Sequence, residues 1–217
     1  MKLACVGYRP WALNIYAKLQ KEFPSYNFLI QNSKQEYNEH NIVQFRPDFI
    51  LFYGWSEIIS VDLVKSFKCL MLHPSPLPKY RGGSPIQNQI IAGEIDSAVS
   101  IFQMDAGVDT GPIVKQEYLS LMGSLVEIFL RIESIGYKLT KEILLNGFTL
   151  QTQDHKSATE FSRLSPKMSE ITLEELSKSS SLYLSNKIRM LQDPYPNPFF
   201  KTCDGKKLVF KLVEIED

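Results

Sequence analysis

Two residues of this 217-residue chain combine a reactive side chain with a telling position: His73 and Asp109. His73 opens the run His73-Pro-Ser-Pro-Leu-Pro-Lys-Tyr-Arg-Gly-Gly-Ser-Pro-Ile86, directly after an apolar stretch that reads as a buried strand. An imidazole titrates near neutrality, so at a strand's carboxyl end, where open α/β sheets bind their ligands, it suits proton transfer. A histidine that merely braces a loop is the plain alternative. Asp109 lies in Met104-Asp-Ala-Gly-Val-Asp-Thr-Gly111, a turn-rich connection after a second strand of the same sheet. A carboxylate beside an imidazole orients the ring and favours its charged form, the base-plus-orienter pairing of many acyl transfers. Alone, Asp109-Thr-Gly is equally an Asx turn. Chemistry requires that the two loops converge.

The elements that must bring them together alternate along the chain. Strands are expected over 3–7, 27–31, 48–53 and 68–72, with a helix over 11–19. The three prolines between 74 and 78, followed by Gly82-Gly83, forbid a regular element there and leave a shaped loop. Ser84-Pro85 has the N-cap and first-turn proline of a helix running to Ala92, with Gly93 as its stop. Residues 98–103 and 113–119 read as a hairpin or as two strands around a loop, and 125–145 as a long amphipathic helix closed by Asn146-Gly147. This order implies an α/β fold with parallel strands and helical crossovers over 1–150. Beyond it, 151–170 is polar and Ser/Thr/Lys-rich, a linker or irregular connection. An appendage completes 151–217: a capping-box start at Thr172-x-x-Glu175, helical periodicity to Leu191, a halt at Asp193-Pro-Tyr-Pro-Asn-Pro198, and a hairpin of 199–202 and 208–215 around Asp204-Gly205.

Composition narrows the function classes. With 24 Lys+Arg against 24 Asp+Glu there is no long-range attraction for a polyanion, which argues against a nucleic-acid partner. No apolar run approaches the roughly 20 residues of a membrane helix, and the amino terminus enters a strand without a signal-peptide pattern, so a cytoplasmic protein is expected. Cys5, Cys69 and Cys203 form no C-x-x-C pair, which predicts reduced thiols and no metal site.

The block Leu72-His-Pro-Ser-Pro-Leu-Pro-Lys-Tyr-Arg-Gly82, then Ser84-Pro-Ile-Gln87, Ala92-Gly93 and Met104-Asp-Ala-Gly-Val-Asp-Thr-Gly-Pro-Ile113, resembles the 10-formyltetrahydrofolate-dependent formyltransferases, with a looser likeness from residue 1 to about 150. The resemblance implies a Rossmann-like formyltransferase core that passes a formyl group from 10-formyltetrahydrofolate, its co-substrate, to a primary amine, without a metal. It also implies an Asn, His and Asp trio. His73 and Asp109 match two members, but Met71 stands where the family has asparagine. A thioether cannot donate a hydrogen bond to a forming oxyanion, and one lost donor costs roughly 10² to 10³ in rate. Met71 therefore leaves open an enzyme with an altered oxyanion site, in which a protonated His73, a main-chain N–H or a water serves, or a non-catalytic relative that binds folate or nucleotide sugar.

By the same resemblance the pterin slot lies between the loop after the third strand and the loop before Asp109, with Phe52, Trp55, Ile58, Met104, Asp105, Ala106 and Val108 as its wall and edge. Family members differ in acceptor. A methionyl-tRNA enzyme is expected to carry a further basic C-terminal domain, and the glycinamide ribonucleotide enzymes a Gly-rich phosphate loop where this chain has Gly7-Tyr-Arg-Pro-Trp11. A core with a short helical and hairpin tail resembles the bacterial nucleotide-sugar N-formyltransferases of surface glycan biosynthesis, which act on UDP- or dTDP-linked 4-amino-4,6-dideoxyhexoses. On that likeness Arg9, Lys79 and Arg81 are candidates for the pyrophosphate, Tyr195 for stacking on the base, and Ser75 for the acceptor site. The terminal hairpin offers an edge for a homodimer.

Overall fold

The computed structural model describes residues 1–216, leaving Asp217, the end of the expected appendage, outside the described residues. Six strands form the central sheet: β1 (Lys2–Val6), β2 (Asn27–Gln31), β3 (Phe49–Tyr53), β4 (Cys69–His73), β6 (Asp96–Gln103) and β7 (Ile113–Ser120), in the order β2-β1-β3-β4-β6-β7. A further short strand, β5 (Arg81–Gly82), lies outside it. The fold is mixed α/β, as the alternation predicts, with the Rossmann-like parallel half that the resemblance implies. β1 through β4 pair in parallel, and β6 and β7 pair antiparallel, the hairpin reading of 98–119. Leu3 to Val6 and Ile50 to Tyr53 are wholly buried because β1 and β3 are interior strands covered on both faces.

Helices cover the sheet. α1 (Pro10–Glu22) and α5 (Leu125–Asn146) pack side by side on one face, α1 opened by Pro10 and α5 by a capping box in which Ser124 and Glu127 satisfy each other's main-chain N–H. Two helices lie where periodicity shows nothing: α2 (Glu39–Phe45) and α3 (Val61–Ser66), capped by Asn38 and Ser60. At seven and six residues they are too short for an apolar stripe to register. α4 (Pro85–Ile91) has its first-turn proline, but Ser84 does not act as an N-cap: it is left-handed at φ 52°, and its hydroxyl instead accepts from Leu164 N–H at 3.2 Å.

β1 and β3 end at the point where strand order reverses, the usual place for a ligand crevice in such sheets. Tyr16 plugs its floor: its hydroxyl accepts from Tyr53 N–H at 2.9 Å and lies 2.9 Å from Val6 O and 2.8 Å from Leu51 O. Along β4 the faces alternate, Leu70 and Leu72 joining the cluster under α1 and α5, Cys69 and Met71 the cluster with Phe52 and Trp55. Two-residue spacing therefore puts His73 on the face of Met71.

Of the two readings of 151–170, the irregular connection holds: the segment is a strap on the core. Gln151 pairs with Ile113 as an antiparallel bridge, and β8 (Glu160–Phe161) pairs in parallel with β5, which lies inside the stretch where the prolines argued against any regular element. Gly82 makes the pairing possible: φ is 89°, and a Cβ there would lie 2.4 Å from Phe161 O. After the strap come α6 (Leu173–Lys178), α7 (Ser181–Met190) and the hairpin of β9 (Phe199–Lys201) with β10 (Lys207–Val209). Ser180 caps a new helix where periodicity had suggested continuity from Thr172, and β10 stops well short of the expected 208–215.

Candidate active site

His73 is the last residue of β4 and is 5% exposed. Its Nε2 lies 2.8 Å from Tyr80 O. A carbonyl only accepts, so Nε2 carries the proton and the lone pair of the neutral ring falls on Nδ1. Nδ1 faces Asp109 Oδ2 at 3.4 Å. Asp109 is itself buried, and the same Oδ2 accepts from Gly82 N–H at 2.8 Å.

The two residues meet by a route that strand order alone does not suggest. β6 is antiparallel to β4, with Gln103 opposite Leu70 and Ser100 opposite His73. The carboxyl end of β6 therefore lies at the far end of β4 from His73, and residues 104–112 must fold back along the sheet. Gly111 permits the return, since a Cβ there would lie 1.8 Å from Gln103 O. Asp109 turns toward the histidine in the left-handed region at φ 54°. Tyr80 and Ser84 are also left-handed, at φ 60° and 52°, so non-glycine strain gathers around this site.

Met71 is half-buried and, like Met104, packs against the apolar clusters of Trp55 and Phe52 and of Leu77, Phe102 and Ile113. Around it lie the two loops expected to form the pterin slot. Phe52 is fully buried and belongs to the core rather than to a wall. Trp55 is 8% exposed, packed against Tyr8 and Tyr37, and its indole N–H has no hydrogen-bond partner. Ile58 and Val108 are 96% and 65% exposed, while Met104 is half-buried. Asp105 and Ala106 are exposed, and Asp105 Oδ1 is occupied by Gly107 N–H at 3.0 Å and the Thr110 hydroxyl at 2.5 Å.

The candidates for an anionic acceptor divide. Arg9 stands between β1 and α1, its guanidinium 5.2 Å from the Tyr8 ring and 5.6 Å from the Tyr195 ring, a cation–π contact that brings Arg9 and Tyr195 together. Lys79 is exposed on the loop. Arg81 is 3% exposed and committed internally: Nε and Nη2 donate to Gln153 Oε1 at 3.2 and 2.7 Å, and Nη2 lies 3.2 Å from His155 Nδ1. It is a brace of the strap and not a free grip for pyrophosphate. Ser75 is wholly buried, its hydroxyl spent on Lys79 O at 2.8 Å, so it braces the loop. A pocket of about 390 Å³ opens between Gly82, Val108 and Glu160 to Ser162, beside Asp109.

Sequence reasoning missed Tyr80, whose carbonyl sets the histidine tautomer, and Gln153, whose amide donates to Asp109 O at 3.0 Å and Gly111 O at 2.6 Å. Neither carries a local signal, since one acts through its main chain and the other lies in a polar stretch. Among the described residues, no group of three His, Cys, Asp or Glu could hold a metal ion, and no helix is long and apolar enough to cross a membrane.

The profile of the formyl transferase family matches residues 16–127. A methionyl-tRNA formyltransferase of Orientia tsutsugamushi (strain Boryong) is 36% identical over 79% of this chain and 57% of its own length, so the chain spans little more than half of that relative. A solved methionyl-tRNA formyltransferase from Clostridium thermocellum superposes with a TM-score of 0.86 at 31% identity, over 96% of both chains. A sugar N-formyltransferase structure from Shewanella sp. FDAARGOS_354 shares the fold, with a TM-score of 0.75 at 17% identity, over 100% of this chain and 99% of that one.

Proposed function

Because the chain belongs to the formyl transferase family, we propose that it transfers the formyl group of 10-formyltetrahydrofolate to a primary amine on a nucleotide-bearing acceptor. One observation carries this reading: the Asp109, His73 and Tyr80 O alignment presents a lone pair at Nδ1 beside a carboxylate. The neutral amine attacks the formyl carbon, forming a C–N bond and moving the carbonyl electron pair onto oxygen. The ammonium of that zwitterion gives its proton to His73 Nδ1, and the imidazolium so formed sits against Asp109. Collapse of the oxyanion then breaks the bond to N10 of the folate, which takes the proton back from the His73 imidazolium as tetrahydrofolate leaves, restoring the neutral ring. With Met71 unable to donate and both ring nitrogens of His73 facing Tyr80 O and Asp109, stabilisation of the oxyanion falls to a main-chain N–H or water. The pterin is held between the Trp55–Ile58 and Met104–Val108 loops.

A nucleotide-linked amino sugar is the acceptor that the Arg9 and Tyr195 arrangement supports: a cation in contact with two aromatic rings between β1 and α1 suits a base with a pyrophosphate. The balance of 24 basic and 24 acidic residues supports a small acceptor as well. Methionyl-tRNA is a second reading, favoured by the names of the relatives at 36% and 31% identity. Release of tetrahydrofolate from 10-formyltetrahydrofolate, measured with UDP- and dTDP-amino sugars and with methionyl-tRNA as acceptors, tests both. Formylation of an amino sugar supports the first and formylation of methionyl-tRNA the second. Binding of donor and acceptor without turnover overturns formyl transfer itself.

A further inference from the structure

We propose that Gln153, on the strap outside the sheet, is a positioning residue that holds Asp109 in register with His73. The proposal rests on the formyl-transfer reading only for its kinetic consequence. A non-glycine residue in the left-handed region is strained, so Asp109 stays at φ 54° because its surroundings hold it there. Gln153 supplies the restraint. One amide nitrogen donates to the carbonyls on both sides of the turn, Asp109 O at 3.0 Å and Gly111 O at 2.6 Å, and the side chain is 4% exposed. No water can take over these bonds at such burial without displacing the strap.

An amide is nearly symmetric in shape, and its orientation is set by its partners. Here the setting is unambiguous. Arg81 has only donors, and it holds Gln153 Oε1 through Nε and Nη2, so Nε2 must face the two carbonyls. This also explains a buried arginine with no carboxylate among its partners: its work is to orient an amide. The chain of contacts runs Arg81, Gln153, the 109–111 turn, Asp109 Oδ2, His73 Nδ1.

The test uses Gln153→Glu, which keeps the acceptor for Arg81 but turns an oxygen toward two carbonyls, and Gln153→Met, which removes both donors at similar volume. The expected result is a kcat lowered roughly 10- to 100-fold, the range that a misplacement near 1 Å produces, with the folate KM within about threefold. The ¹⁵N imidazole resonances of His73 should move in both variants while those of His40, far from the strap in sequence and on α2, stay in place. Combined with Asp109→Asn, either variant should add no further loss, because both act through one carboxylate. Losses that add, or unmoved His73 resonances, overturn the proposal. The resonances decide it even if no acceptor is turned over, an outcome that would count against formyl transfer and not against the positioning role.

Discussion

Replacing Asp109 by asparagine isolates the charge that faces His73. The amide keeps the size of the carboxylate and can still accept from Gly82 N–H, now 2.8 Å from Oδ2, so the loop geometry should persist. What disappears is the attraction between the carboxylate and an imidazolium at Nδ1. At 3.4 Å and an effective dielectric of about 20, Coulomb's law puts that attraction at about 4.9 kcal/mol. Both side chains are under a tenth exposed, so solvent screening removes little of it. If all of it were expressed in the transition state the rate would fall by roughly 4 × 10³, and if half were, by roughly 60. We therefore expect kcat to fall by about 10² to 10³, with the folate KM changed by less than about threefold and Tm by only a few degrees. Tetrahydrofolate release under saturating acceptor gives kcat, and a thermal melt monitors the fold. Turnover within threefold of the native rate would refute the assignment of Asp109 as the partner of a charged His73.

Four further outcomes follow from particular contacts. Met71→Asn should raise kcat about tenfold or more by adding a donor at the oxyanion, while lost apolar packing and an amide without a protein partner lower Tm by several degrees; a lower kcat in a folded variant would show that the site is built around the thioether. Arg81→Lys should lower Tm and kcat through the strap and leave the acceptor KM within about threefold, whereas a large rise in KM would return Arg81 to the acceptor site. Ile58→Ser and Val108→Ser should raise the folate KM several-fold with unchanged melting, since both side chains are exposed in the free protein; an unchanged KM would remove them from the slot. Burial pushes the Cys69 thiol up to about 12 from an ordinary 9.0, so its neutral form is favoured by folding. Because the folded value exceeds the unfolded one, stability is intact below pH 9 and should decline as pH rises toward 12, and native protein should react with a thiol reagent only at exposed Cys203, as mass spectrometry after labelling would show.

The amino-acid order alone carries whatever depends on neighbours in sequence. The apolar runs 3–7 and 48–53 mark interior strands because a strand buried on both faces needs no polar alternation, and Thr172 with Glu175 marks the start of α6 because cap and first turn are neighbours in sequence. The motif around His73 and the turn around Asp109 are legible for the same reason, and with them the family. What the tertiary structure decides are the non-local pairings. Strand direction is not written in a strand's composition, so the antiparallel course of β6, and hence the folded-back loop that delivers Asp109, appears only when the sheet is assembled. A polar stretch looks alike whether it wanders or docks. The strap, Gln153 within it, and the burial of Arg81 depend on hydrogen bonds to residues more than forty positions away along the chain. Arg81 reads as a free cation in sequence because guanidinium chemistry fits phosphate, and only its buried acceptor at Gln153 shows that the same donors are used to hold the site together.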